Sequence, residues 1–150
     1  MTSASPQDLA AALLAAREQG IDVDTLLFQL AKGDYPAMQQ FLSDPAWLGG
    51  DNIWPALKAL LIQIRQPGIH KYHLEIGKGG GKSTISGVDQ LYSAGELLAL
   101  EDAHSFFQLD PGKPITCITV ATSESQAKLT IFAKIKSLVE RIPFFANRQH

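Results

Sequence analysis

The sequence predicts an α/β fold built on a parallel sheet, incomplete within this chain and preceded by a helical N-terminal extension. Three observations carry that reading. Up to about His70 apolar residues recur at helical spacing between turn residues. From Lys71 short β-branched runs alternate with helical ones. The two kinds of run meet at a triple glycine, in "IGKGGGKST" at residues 76–84. Strand, glycine loop, helix, strand, helix is a βαβα order, and parallel strands need crossovers of that kind. With 150 residues and 45% apolar content, the chain is long enough for about one domain with a real core.

The first half reads as four short helices. Ser5 can cap the first, with Pro6 at its first position, Asp8 in the favourable first turn and Gly20 closing it. "DVDTLLFQLAKG" gives a second helix ending at Gly33, and "YPAMQQFLSDP" and "WPALKALLIQIRQPG" give two more that begin with proline. Trp54, Leu57, Leu60, Leu61 and Ile64 fall three or four apart and predict one apolar face. In the second half "KYHLEI" is a short strand running straight into the glycines. "KSTISGVDQLYSAGELLAL" is a helix weakened in its middle by Gly87 and Gly95, and "ITCITVA" suits a strand buried on both faces. The clearest helix is "TSESQAKLTIFAKIKSLVERI": Ser123 and Gln126 form a capping box, Ala127, Ile131, Ile135, Leu138 and Ile142 line its inner face, and Pro143 stops it.

A strand that ends in glycines and continues into Lys-Ser and a helix is a phosphate-binding loop. Gly79, Gly80 and Gly81 let the backbone turn sharply and aim several N–H groups at one anion, and the following helix adds its positive end. Lys82 can reach the β- and γ-phosphates, and the Ser83 hydroxyl can ligate Mg²⁺. Thr84 comes one position late for the metal and supports the helix start. The spacing is shorter than usual, because only three residues separate Gly77 from Gly81-Lys82 and Ile76 stands where an outer glycine is expected. The fold expectation is thus a P-loop NTPase-type sheet, with Gly77 to Thr84 as the binding segment for ATP and Mg²⁺.

At this point the chain resembles the large subunit of tailed-bacteriophage terminases, whose compact loop has the form Gly-Arg-x-x-Gly-Lys-Ser/Thr; Lys78 stands where that family's arginine is common. "FLSDPAWLGGDNIWPALKALLIQI" is similar to the segment those proteins carry ahead of the loop. "PITCITVATSESQAKLTIFAKIKSLVERIP" is similar to their second strand and the helix after it. The resemblance covers residues 41–145 and implies an ATPase that couples MgATP hydrolysis to DNA translocation. Lys82 and Lys78 would be its catalytic cations and Ser83 its metal ligand. It also implies double-stranded DNA, a portal and a small terminase subunit as partners, a ring of copies, and the cytoplasm of an infected or lysogenic bacterial host. Residues 1–40 would be a helical extension and 41–150 the first part of the ATPase domain. Departures are clear: lysine at 78 keeps the charge without the bidentate fork, and Ala56, Leu57 and Lys58 stand where many members carry an adenine-reading glutamine. No apolar strand ending in Asp-Glu follows. "ELLALED" at 96–102 imitates one but comes too early and reads as the end of an amphipathic helix. On these grounds the chain reads as the N-terminal part of a larger motor, inactive in hydrolysis by itself. A helicase-like ATPase, a small-molecule kinase or a non-enzymatic nucleotide-binding remnant are the rival readings.

Other residues are assigned bland roles. His70 and His73, three apart in an extended segment, point to opposite faces and do not chelate. Cys117 is a buried structural thiol, and a single cysteine excludes an internal disulfide framework. Gln126 is first a cap, to which the resemblance adds a contact near nucleotide or DNA. Lys128, Lys134 and Lys136 read as a solvated face. Phe144 and Phe145 stand between two readings, packing on the sheet or being stranded without it. A net charge of −2 gives no global attraction for nucleic acid, and no apolar run approaches the ~18 residues of a membrane span.

Overall fold

The computed structural model describes residues 6–20, 22–66, 69, 71–116, 118 and 131–147. The helices predicted in the first half are present: α1 (Pro6–Glu18), α2 (Val23–Ala31), α3 (Met38–Ser43) and α4 (Pro55–Ile64). Their ends follow from local chemistry. Asp22 caps α2 by accepting the Thr25 N–H at 3.0 Å and the Thr25 hydroxyl at 3.1 Å. Gly20 and Gly33 close α1 and α2 in the left-handed region, at φ 71° and 57°. Pro55 opens α4, where its missing N–H costs nothing. The second half adds α5 (Lys82–Ala99), a single turn α6 (Ala103–Phe106), α7 (Ala133–Arg141) and a final turn α8 (Pro143–Ala146).

The expected parallel sheet is not part of the described structure. Residues 71–77 form no regular element and carry no ladder of hydrogen bonds among the described residues. A strand exists only through its neighbours, and the expected neighbour, 115–121, lies largely outside the described residues. The two-residue alternation of the segment is nevertheless there. Leu74 and Ile76 pack against the core, while His73 and Glu75 have side chains 85% and 90% exposed. The Ser123–Gln126 capping box, Ala127, Lys128, Cys117 and His70 also fall outside the described residues.

Helices stacked on α5 form the core. Ile85, Val88, Leu91 and Tyr92 of α5 face Leu61 and Ile64 of α4, Phe41 and Leu42 of α3, and Leu138 and Ile142 at the end of α7. Each such side chain, fully buried, contributes about 1.5–3 kcal/mol. Trp54 departs from the predicted apolar face and is 56% exposed. It stands at the cap of α4, before the first helical residue, so the helical repeat does not aim it inward. An aromatic cluster completes the core: Tyr35, Phe41, Trp47, Tyr92, Phe144 and Phe145 meet with ring centroids from 5.1 to 6.4 Å apart. Phe144 and Phe145 therefore pack neither on a sheet nor in solvent but on rings from the N-terminal half. Arg141 holds them there by gripping the Asp51 carboxylate through two contacts of 2.6 and 2.8 Å.

A buried polar network, which sequence patterning did not show, links four segments. Lys32 follows α2 and reaches Glu96 on α5 at 2.7 Å, both below 10% exposure. Arg65, just after α4, contacts the other Glu96 oxygen at 3.3 Å and Asp89 at 2.6 Å, and also donates to the Asp89 carbonyl and the Ser93 hydroxyl. The Tyr72 hydroxyl, from the segment entering the glycine loop, donates to the second Asp89 oxygen at 2.6 Å. Every buried side-chain polar atom among the described residues has a partner, which is the condition for such a network to be tolerated.

This network predicts abnormal tyrosine ionisation. Burial first, then the hydrogen bond and charge of Asp89, push Tyr72 up to about 12 from the model-compound value of 10.0. Burial, together with nearby acidic groups, also raises Tyr35 and Tyr92, beyond that. A raised folded-state value means the native chain keeps its proton where the unfolded chain releases it. The stabilisation is therefore complete below about pH 10 and lost as pH climbs from there through 12. Tyrosinate absorbance near 295 nm should be nearly absent from the native chain at pH 10, and about half-developed in denaturant at the same pH. A native midpoint at 10 would show that the three rings are not packed as described.

Candidate phosphate-binding site

Leu74 and Ile76 seat the entering segment, and the loop begins at Gly77. The Gly80 N–H donates to the Gly77 carbonyl at 3.1 Å, which closes a tight turn around Lys78 and Gly79. Gly79 and Gly81 sit at φ 82° and 86°, where any other residue is strained. Space makes the same demand at two positions. A Cβ on Gly80 would lie 2.4 Å from the Ile76 side chain, and one on Gly81 would lie 2.4 Å from Leu57 of α4. Helix α4 thus backs the loop and holds it against the start of α5.

Gly81 caps α5, and its carbonyl accepts from Thr84 and Ile85 at 2.9 and 3.0 Å. The N–H groups of Gly79, Gly81, Lys82 and Ser83 meet no acceptor among the described residues. Unpaired donors at the start of an 18-residue helix are what an anion uses, and the helix dipole favours the negative charge there. The Lys82 ammonium folds back over the loop, donating to the Ile76 carbonyl at 2.5 Å and the Gly77 carbonyl at 3.3 Å. Lys78 is exposed, and an added Cβ at Gly77 or Gly79 meets only open space, so the outer face of the loop is accessible. Ser83 lies half-buried in the first turn of α5, its hydroxyl without a partner among the described residues. These features suit a phosphate on the loop and a hard cation at Ser83. The predicted segment Gly77–Thr84 runs without a break from the glycine turn into the first turn of α5.

Residues 62–150, more than half of the chain, match the family described as "Uncharacterized protein MJ0330, N-terminal P-loop domain". The chain belongs to this P-loop family. The P-loop domain so defined contains the whole glycine loop, α5 and α7. The match supports nucleotide binding and lends nothing to phage DNA packaging. No curated protein and no solved structure matches the chain.

Other sequence-predicted residues fall into place around the loop. "ELLALED" is the end of α5 and the entry to α6, as its amphipathic pattern predicts, and two of its three acids are engaged elsewhere. Glu96 is held by Lys32 and Arg65. Asp102 caps α6 through Ser105, whose hydroxyl and N–H hold its carboxyl below the usual range. His73 lies exposed beside Glu75, and the described residues contain no cluster of three metal-binding side chains. Among the described residues no helix is long and apolar enough to cross a membrane. Lys134 corrects the sequence reading. Instead of facing solvent with Lys136, it runs along α5 and donates to the Thr84 hydroxyl at 3.2 Å. Only the packing of α7 on α5 brings that contact about, since the two residues are 50 positions apart.

Proposed function

We propose that this P-loop domain binds a nucleoside triphosphate with Mg²⁺, as the nucleotide-holding part of an ATPase. The observation that carries it is the pair of left-handed glycines, Gly79 and Gly81, set directly before α5 with the donors of Lys82 and Ser83 left open. In this reading the N–H groups from Gly79 to Ser83 cradle a phosphate. The Lys82 ammonium leaves the loop carbonyls for the phosphate oxygens, exchanging neutral acceptors for charged ones. Lys78, exposed on the outer face, adds a second cation toward the terminal phosphate. Ser83 holds the metal, which when bound neutralises phosphate charge and orients the transferred group.

The narrower reading, a phage packaging motor that couples hydrolysis to movement of double-stranded DNA, rests on the order of the segments in residues 41–145 and on the compact Gly77-Lys78-Gly79-Gly80-Gly81-Lys82-Ser83 loop. It predicts that DNA stimulates turnover in the complete motor, an effect a small-molecule kinase would not show. The nucleotide site itself is tested by titrating MgATP against the wild-type chain and Lys82→Ala. Lys82→Ala should weaken binding by at least roughly tenfold, the worth of about 1.4 kcal/mol. Equal affinity in the two proteins, or none in either, would sink the ATP-site reading.

A further inference from the structure

We propose that Lys134 is a third phosphate-binding lysine of this site, taking the second phosphate of a polyphosphate ligand beside Thr84. The inference rests on the nucleotide reading above. Three observations on Lys134 carry it.

Position comes first. Lys134 enters from α7, and its ammonium reaches the Thr84 hydroxyl at 3.2 Å, one residue beyond the proposed metal ligand Ser83. An anion cradled on the N–H groups of Lys82 and Ser83 leaves a neighbouring phosphate within a side chain's reach of Thr84. Two linked phosphates would then be held by different parts of the molecule, one by the loop and one by Thr84 with Lys134.

Lys134 is also held in place by its own stem. A Cβ built on Gly87 of α5 would meet the Lys134 stem at 3.9 and 4.0 Å and Ile135 at 3.8 Å. The bare backbone at Gly87 is the track along which the four-carbon chain lies, so the ammonium is delivered to Thr84 with few rotamers left to lose.

The third observation is charge. Lys32, Arg65, Lys136 and Arg141 each face a carboxylate. Lys134 does not, and among the described residues its only recorded partner is a neutral hydroxyl. A half-buried ammonium so placed gains most from an incoming anion, because a charged acceptor forms roughly twice as strong a hydrogen bond as a neutral one.

The test is a calorimetric titration of MgATP, MgADP and inorganic phosphate against wild-type, Lys82→Ala, Lys134→Met and Lys134→Arg chains. Methionine keeps the stem on Gly87 and removes the charge. Lys134→Met is expected to melt with the wild type, to bind MgATP and MgADP roughly tenfold more weakly, and to leave inorganic phosphate unchanged. Lys134→Arg should recover most of the loss. If Lys134→Met does not fold, Lys134→Gln serves, with the same expected split between diphosphate and monophosphate. Wild-type affinity for MgATP in Lys134→Met, with Lys82→Ala impaired, overturns the role of Lys134 and leaves the P-loop reading standing. Equal weakening of all three ligands makes Lys134 a general support of the loop and overturns it too. No MgATP binding by the wild type overturns both readings.

Discussion

Glu96→Ala is expected to destabilise the chain by about 3–5 kcal/mol, the largest effect of any single change considered. Glu96 lies on α5 with Lys32 against one oxygen at 2.7 Å and Arg65 against the other at 3.3 Å. Alanine would leave the Lys32 ammonium, 5% exposed, without its carboxylate. Rings from Phe28, Tyr35 and Tyr92, with centroids 5.7 to 5.9 Å from Lys32, offer it only weak compensation. Set against the ~5–15 kcal/mol stability of an ordinary domain, such a loss would leave a barely folded protein. Urea unfolding checks it: the midpoint should fall sharply with an unchanged slope. The double change Lys32→Met with Glu96→Leu should recover most of the loss, since it removes both buried charges together. If Glu96→Ala unfolds like the wild type, the network is not closed as described.

The second large effect separates two glycines in the same helix. Gly95→Ala should cost about 1–3 kcal/mol, whereas Gly87→Ala should stabilise by about 0.5–1 kcal/mol. A methyl on Gly95 would sit 2.0 Å from the Tyr35 hydroxyl oxygen and 2.6 Å from the ring carbon that bears it. Tyr35 cannot step aside. Trp47, Tyr92 and Phe144 hold its ring at 5.3 Å each, and its hydroxyl donates to the Tyr92 carbonyl at 3.2 Å. At Gly87 the nearest atom is 3.8 Å away, ordinary contact, so alanine there only removes the entropy cost of glycine. Thermal melts of the two variants should move in opposite directions. Equal shifts would mean that the Tyr35 ring does not press on α5.

Both results bear on why the helix spans two glycines that helix propensity counts against. From the residues alone Gly87 and Gly95 look like weak points in α5. In the structure α5 runs unbroken from Lys82 to Ala99: Gly95 is buried where the Tyr35 ring needs the space, and Gly87 is buried in ordinary contact with Lys134 and Ile135. Propensity is a weak prior, and packing overrides it here. The Lys134 reading failed for a related reason. Its place in a run of lysines suggests solvent, but helical spacing says nothing about which neighbour the face meets.

Much of the candidate site was legible without coordinates. Three glycines before Lys-Ser and a helix are a local backbone signature, because positive φ, free N–H groups and a helix end all arise from adjacent residues. Helix starts and stops at Asp22, Gly33 and Pro55 are local as well, and so is the alternation of Leu74 and Ile76 against His73 and Glu75. The chain by itself therefore determined where α2 and α4 begin and where α1 and α2 end, and that a glycine loop leads directly into α5. The Glu96–Lys32–Arg65–Asp89–Tyr72 network, the fit of Tyr35 on Gly95 and the arrival of Lys134 at Thr84 belong to the tertiary structure alone. Each joins residues far apart in sequence, and no pattern of spacing records which faces will meet.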